Sequence, residues 1–588
     1  MSDSAAAIPE IRNPAGAHPQ TDVDRRFESL ITERFERLLR DFPIFGTWLG
    51  VHNADDRLGD LSRDAKLEQI AIERRFLSDV QALDPAAMSE IFRFERELAI
   101  NAAERSLFDD EVHRLWERRA SASDEIGDGL FLLFARDFAP LTQRLVCITG
   151  RLEDAPRVLV EARSRLGDRP VRLWNEMELE STGSLPMFLD EIVVAARTEW
   201  TEDSPELERL VKAVESSTAA LDEYAGWLRE KVAGASDDFP LGSADYDRLV
   251  GLRAFDGLTT DEILQIGIEQ LASNHEGRRL AAAEVDPDSD VREVLARIKA
   301  DHPASFEAAL DGYRDAMFRS RDFIREHGLA TIPGNETLSV IPTPEYLRNV
   351  MPFAAYFQPA KFDSRRRGIY IVTPSVDGDP RAMMEHNWAS ISNTSIHEAY
   401  PGHHQQLTAA VEHPSITRLL IDAPEFVEGW GMYCEQMMRE QGFDDSPEHR
   451  VIMYTDAIWR ACRIILDVRL HRGEISVPEA IDFLVGETGF ERPQATAEVH
   501  RYTFTPTYQL SYLLGKVMLL RLREDERRRL GDAFSLKDFH DALLYSGSIP
   551  VSFHRRLLAG EGGGPTMPRA VEESPVAAGH GKAATPAP

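Results

Sequence analysis

Apolar residues recur every three to four positions through most of this chain. Between 26 and 39 they fall at Phe27, Leu30, Ile31, Phe35, Leu38 and Leu39, one stripe of a 3.6-residue helix. Comparable stripes run through 68–83, 88–119, 140–165, 205–232, 260–282, 290–326, 450–470, 478–485 and 510–529. The pattern predicts a mainly α protein. One segment breaks it: 367–374 is β-branched and aromatic and is bounded by Gly and Pro, which predicts a strand and with it a small sheet. No repeat of 20–50 residues is present. Residues 1–24 and 560–588 are rich in Ala, Pro and Gly and read as disordered tails. The body between them divides into a helical region, 25–330, and a region of 331–559 that holds the residues suited to chemistry.

At 588 residues, with 43% hydrophobic and 28% charged positions, the chain can bury a large core. Its 67 basic and 99 acidic residues give a net charge of −32. That argues against sequence-independent nucleic-acid binding and against docking on an anionic membrane. The three cysteines, Cys147, Cys434 and Cys462, provide no disulfide framework and fit a reducing compartment. The first residues lack a basic start followed by an apolar run, and no stretch of 18 apolar residues occurs. The expectation is a cytoplasmic protein, monomeric or homodimeric.

Candidate chemistry concentrates in Ile396-His-Glu-Ala-Tyr-Pro-Gly-His-His-Gln-Gln406. A zinc hydrolase needs two imidazoles to hold the metal and a carboxylate beside them to take a proton from water. His397 and Glu398 open such a set, but the position four residues on, where a regular helix would carry the second His, is Pro401. His403 is two residues late, a rotation of about 200° on a straight helix. His404 returns to the same face but lies about 10 Å along the axis. Pro401 removes a backbone donor and Gly402 accepts unusual dihedrals, so the spacing predicts a helix that breaks and restarts here. Spacing alone leaves the choice between His403 and His404 open.

A second segment, Phe426-Val-Glu-Gly-Trp-Gly-Met-Tyr-Cys-Glu435, supplies two carboxylates. Glu428 and Glu435 are seven apart and share a face if the segment is helical. Its apolar flanks predict burial, and a buried carboxylate needs a partner. One could ligate a metal while the other orients a histidine.

Taken with Leu49-Gly-Val-His52, Asp60-Leu-Ser62, Arg463, Asp467, His471, Arg501-Tyr502, Pro506, Ser511-Tyr512, Gly515 and Phe539-His540-Asp541, these motifs resemble the bacterial family catalogued as domain of unknown function 885. The resemblance covers roughly 25–558. That family is similar in turn to gluzincin-type zinc peptidases. The thimet-oligopeptidase group carries Val-Glu with a second Glu seven residues on, and dipeptidyl peptidase III has a lengthened His-Glu motif. The resemblance implies a large helical gluzincin-like fold with a small sheet beside the active-site helix. It implies one zinc on His397, His403 and Glu428, with Glu398 as general base and a peptide substrate. His404, Glu435 and His471 are alternative ligands or supports. By the same resemblance, strand 367–374 is the edge on which extended substrate would lie, with Tyr370 among the contacts.

Arg501, Tyr502, Tyr508 and Tyr512 cluster within twelve residues. Such donors stabilise the oxyanion of acyl transfer. Arg501 and Tyr512 are the candidates for that task, and Tyr502 and Tyr508 for substrate contact. Arg463, Asp467 and His471 share a helix face, with Arg463–Asp467 expected as a structural pair and His471 as a candidate to face the site. Two functions fit: a zinc metallopeptidase acting on oligopeptides, or a non-catalytic helical protein that binds metal or peptide. Retention of Glu398, which is not a ligand, favours the first.

Overall fold

A computed structural model describes residues 16–334, 336–344, 348, 353–363, 366–374 and 382–568. The chain is mainly helical. Its first half holds α1 (Asp22–Asp41), α2 (Pro43–Leu49), α3 (Arg63–Gln81), α4 (Glu90–Phe108), α5 (Leu115–Arg118), α6 (Ala122–Ala135), α7 (Leu141–Ala162), α8 (Arg172–Glu199), α9 (Pro205–Val232), α10 (Ser243–Leu252), α11 (Thr260–Val285), α12 (Val291–Ala300) and α13 (Phe306–Glu326). After the sheet come α14 (Trp388–Glu398), α15 (His403–Ala410), α16 (Ile416–Leu419), α17 (Pro424–Glu440), α18 (Pro447–Arg472), α19 (Val477–Thr488), α20 (Arg492–Tyr502), α21 (Ser511–Leu530), α22 (Leu536–Tyr545) and α23 (Val551–Leu558).

Local signals set many boundaries. Capping boxes start α1, α11, α12 and α19, where an N-cap side chain and the acid three residues on satisfy each other's backbone donors. Proline opens α9, α17 and α18, where its missing N–H costs nothing. The stripe expected at 290–326 is two helices, because the chain turns at His302-Pro303 between α12 and α13. α8, with Pro186 inside it, was not among the expected helices.

The expected tails are shorter than their composition suggested. Thr21 caps α1 and Asp24 is fully buried, so 22–24 belong to the first helix. At the other end Gly562 is buried against Phe94, and the Thr566 N–H donates to Ser546 Oγ at 3.0 Å. The remaining tail positions, 1–15 and 569–588, lie outside the described residues. The boundary near 330 is not a division of the core. The largest apolar cluster runs from Phe94 and Leu98 of α4, through Tyr246 and Tyr313, to Leu557 of α23. A second core belongs to α6–α9, and its partly buried margin includes Phe357 of the sheet.

The sheet has three strands, β1 (Glu336–Pro342), β2 (Ala354–Phe357) and β3 (Arg366–Val372), in the order β1-β3-β2. β3 pairs parallel with β1, with Val340 opposite Tyr370, and antiparallel with β2, with Tyr356 opposite Tyr370. This corrects the expectation for 367–374. The predicted strand exists, but it is central and its backbone is paired on both sides, so it offers no edge to a substrate. Tyr370 is fully exposed to neither face: it is 0% exposed and meets Tyr313 edge-on at 5.8 Å. It is a core residue and not a substrate contact.

Candidate metal centre

The helix breaks where Pro401 and Gly402 predict. α14 ends on Glu398, the Tyr400–Pro401 peptide is cis, and α15 starts at His403. The turn is tight: the Gly402 N–H donates back to the Ile396 carbonyl at 3.0 Å. A Cβ at Gly402 would sit 1.8 Å from the His397 carbonyl oxygen and 2.3 Å from that of Ile396, so only glycine fits. The Trp430 indole N–H, from α17, donates to the Pro401 carbonyl at 2.7 Å and fixes the break against that helix. Two residues that a continuous helix would place on the wrong face are thereby taken up outside it, and the His397 and His403 rings meet edge-on with centroids 4.7 Å apart.

α17 brings the carboxylates. Glu428 Oε2 lies 3.6 Å from His397 Nε2 and 3.3 Å from His403 Nε2. Tetrahedral zinc with bonds of about 2.0–2.1 Å spaces its ligand atoms about 3.3 Å apart, and both Glu428–histidine distances fall near that value. Ligand atoms of His397, Glu398 and His403 also lie within 4.8 Å of one another. Both carboxylates therefore face the histidine pair. The other Glu428 oxygen accepts from the Tyr508 hydroxyl at 3.0 Å, which fixes the carboxylate's orientation. Glu398, half-buried, stands beside the three.

Electrostatics within the cluster are mutual. Burial would push the Glu428 carboxyl up, but the imidazoles of His403 and His397 hold it well below the usual range. Burial would lower His397, yet Glu428 and Glu435 push it up to about 10.

Glu435 is the support that the seven-residue spacing anticipated. His397 Nδ1 donates to Glu435 Oε1 at 2.7 Å, which leaves Nε2 turned to the cluster. The other Glu435 oxygen accepts from Asn393 Nδ2 at 3.0 Å. Asn393 escaped the sequence reading, although it sits one turn before His397 on α14 and so shares its face. The close approach of α17 is permitted by Gly431, where a Cβ would lie 2.6 Å from His397 Cε1. Behind it α17 crosses α21 backbone on backbone, because a Cβ on Gly429 would lie 2.6 Å from Gly515 Cα. His403 has no matching support, since its Nδ1 is buried without a hydrogen bond among the described residues. Glu435→Gln is therefore expected to weaken zinc affinity about 10–100-fold, read by competition with a chromogenic chelator. Unchanged affinity would show that the Glu435 contact does not orient a ligand.

Partners distant in sequence separate the two adjacent histidines. His404 is fully buried and both its nitrogens are engaged. Nε2 donates to Glu336 at the start of β1, and Nδ1 accepts from the Tyr356 hydroxyl of β2 at 2.9 Å. It ties α15 to the sheet and has no nitrogen free for a metal.

The remaining candidates separate into those at the cluster and those away from it. Tyr508 touches Glu428, and the Tyr512 hydroxyl lies 3.4 Å from that of Tyr508. Arg501 is one step further out, paired with Glu498 at 2.9 Å. Tyr502, expected to contact substrate, is 0% exposed and donates to Glu498 at 2.7 Å, so it is structural. His471 is not at the cluster. It stacks on Tyr246 and its Nε2 donates to the Tyr502 carbonyl at 3.0 Å. The expected Arg463–Asp467 pair is absent. Arg463 turns to Glu498 at 2.9 Å, and Asp467 accepts from the Tyr246 hydroxyl at 2.6 Å and the Thr507 N–H at 2.9 Å. Burial pushes the Asp467 carboxyl up to about 7.

A family model described as "Bacterial protein of unknown function (DUF885)" matches residues 43–558. Among solved structures, one from Shewanella oneidensis, described as a "putative lipoprotein of unknown function", shares 21% identity at a TM-score of 0.74, covering 91% of this chain and 99% of the other. Another, described as a "putative lipoprotein" from Colwellia psychrerythraea, shares 17% identity at a TM-score of 0.76, covering 91% and 98%. At these identities the likeness is one of fold. No curated protein matches the chain.

Proposed function

The chain belongs to this bacterial family of unknown function, and from the cluster it carries we propose that it is a zinc-dependent hydrolase, a gluzincin-like metallopeptidase acting on oligopeptides. The observation that carries the reading is the spacing of His397 Nε2, His403 Nε2 and Glu428 Oε2, at 3.3 and 3.6 Å, with Glu398 standing beside them. The three groups already form buried ion pairs at these distances, and a cation held among the same three atoms would take up the same cluster.

His397, His403 and Glu428 would hold the metal. Zinc bound there would supply a Lewis acid and lower the pKa of a coordinated water. The residues around it do the rest. Glu435 keeps the proton of His397 on Nδ1, so that Nε2 faces inward. Among the described residues the Glu398 carboxylate makes no hydrogen bond, which leaves it available to accept a proton from water and return it to the leaving amine. The Tyr512 hydroxyl stands next to Tyr508 as a donor for the oxygen of the scissile carbonyl as negative charge grows on it. A cytoplasmic location stays the proposal for this chain, whose three cysteines are free. No helix among the described residues is long and apolar enough to cross a membrane.

Metal content tests the reading first. Wild type reconstituted with zinc and dialysed should hold about one ion per chain, and His397→Ala should hold less than a tenth of that after the same dialysis. Wild type that retains no metal after incubation with excess zinc would overturn the proposal.

A further inference from the structure

Beyond Tyr512 lies a chain of contacts that the hydrolytic reading does not use. Tyr508 connects Glu428 to Tyr512, and the Arg463 guanidinium lies 4.6 Å over the Tyr512 ring. Arg463 is buried and satisfied: it sits 4.0 Å over Trp459, donates to the Tyr502 hydroxyl at 3.1 Å and to Glu498 at 2.9 Å. The same Glu498 carboxylate accepts both its contacts with Arg501, at 3.0 and 2.9 Å, from a single nitrogen, Nη2. One carboxylate thus faces two guanidiniums, which leaves one positive charge over in a protein of net charge −32.

The surplus belongs to Arg501. Its side chain is 38% exposed while that of Arg463 is 3% exposed. Among the described residues its Nε and Nη1 make no hydrogen bond. A guanidinium with an unused edge is a bidentate receptor for a planar anion, and a carboxylate is the anion that peptides carry. Extended peptide rises about 3.3 Å per residue. The route from Glu428 to Arg501 runs through Tyr508, Tyr512, Arg463 and Glu498, so a carboxylate held by Arg501 would belong to a residue close along the peptide to the scissile bond. A terminal α-carboxylate lies there in every peptide cut at its last bonds, whatever its side chains.

We propose that Arg501 anchors the C-terminal carboxylate of the substrate, so that the protein releases residues from the C-terminal ends of short peptides. This rests on the metallopeptidase reading for the cleavage and not for the binding. It also moves Arg501 from the oxyanion role expected from sequence to one of substrate recognition.

The test uses N-acetylated tripeptides Ac-Ala-Ala-Xaa, pooled over apolar, aromatic and acidic Xaa, prepared as free acids and as C-terminal amides. Two readouts are taken on the full chain: kcat and KM for the zinc-loaded protein, and calorimetric binding to Glu398→Gln, which needs no turnover. Free acids should be preferred over amides roughly 10–100-fold, the worth of a charge-assisted hydrogen-bond pair. Arg501→Gln should remove the preference mainly through KM, and Arg501→Lys should restore part of it. A merely structural arginine would shift acids and amides alike. Equal treatment of acids and amides by wild type, binding of neither, a preference that survives Arg501→Gln, or one that follows an acidic Xaa would each overturn the anchor. Absence of metal and turnover with acid-selective binding retained would instead remove the hydrolase reading and leave the carboxylate site standing.

Discussion

Glu398→Gln should lower kcat by about 10²–10⁴-fold while zinc content and melting temperature stay at wild-type values. The side chain is isosteric, is half-buried, and makes no hydrogen bond among the described residues, so the folded state loses little by the change. What disappears is a carboxylate that can hold a proton between its removal from water and its delivery to the leaving amine. Glu428, the other carboxylate that faces both histidines, cannot take over. Its Oε2 lies between the two imidazoles and its Oε1 accepts from Tyr508. Rates should be measured on the pooled peptides under saturating conditions with metal content determined on the same samples. A variant that keeps zinc and more than about a tenth of the wild-type kcat would exclude Glu398 as the base, since loss of a general base costs at least about 100-fold.

Gly402→Ala is expected to damage the fold and the site together. The added Cβ would meet two backbone carbonyl oxygens, at 1.8 and 2.3 Å, and neither can move without unwinding the end of α14. The cost should exceed the roughly 1–3 kcal/mol of ordinary overpacking, read as a lower midpoint in urea. Metal content should fall in parallel, because any relief of the clash changes the distance between His397 and His403. A stable Gly402→Ala protein with a full complement of zinc would mean that the turn is not built as described.

The helical body was legible because its evidence is local. Stripe and cap both lie within one element, and α9 begins and ends where its periodicity does. The candidate cluster was legible for a mixed reason. The motif names the residue types, and Pro401-Gly402 supplies a physical route around the impossible six-residue spacing. What could not be read is what distant partners decide. His403 and His404 are equal until Glu336 and Tyr356, 68 and 48 positions away, claim the second of them. Arg463 and Asp467 look like a pair on one helix until α20 offers Glu498 and the turn before α21 offers the Thr507 N–H. The edge role of β3 came with the resemblance, and its neighbours carry weak signals that could not correct it. β2 is four residues long and β1 lacks an apolar run, so nothing in the sequence announces that both sides of β3 are covered.

The glycine contact between α17 and α21 has a mechanical consequence. With no side chains at the crossing, the two helices touch through their backbones and leave no layer that could shear. Glu428 is fixed to one of them and Tyr512 to the other. A tilt that displaces the carboxylate must carry the phenol with it, so the two behave as one lever rather than as two independent parts.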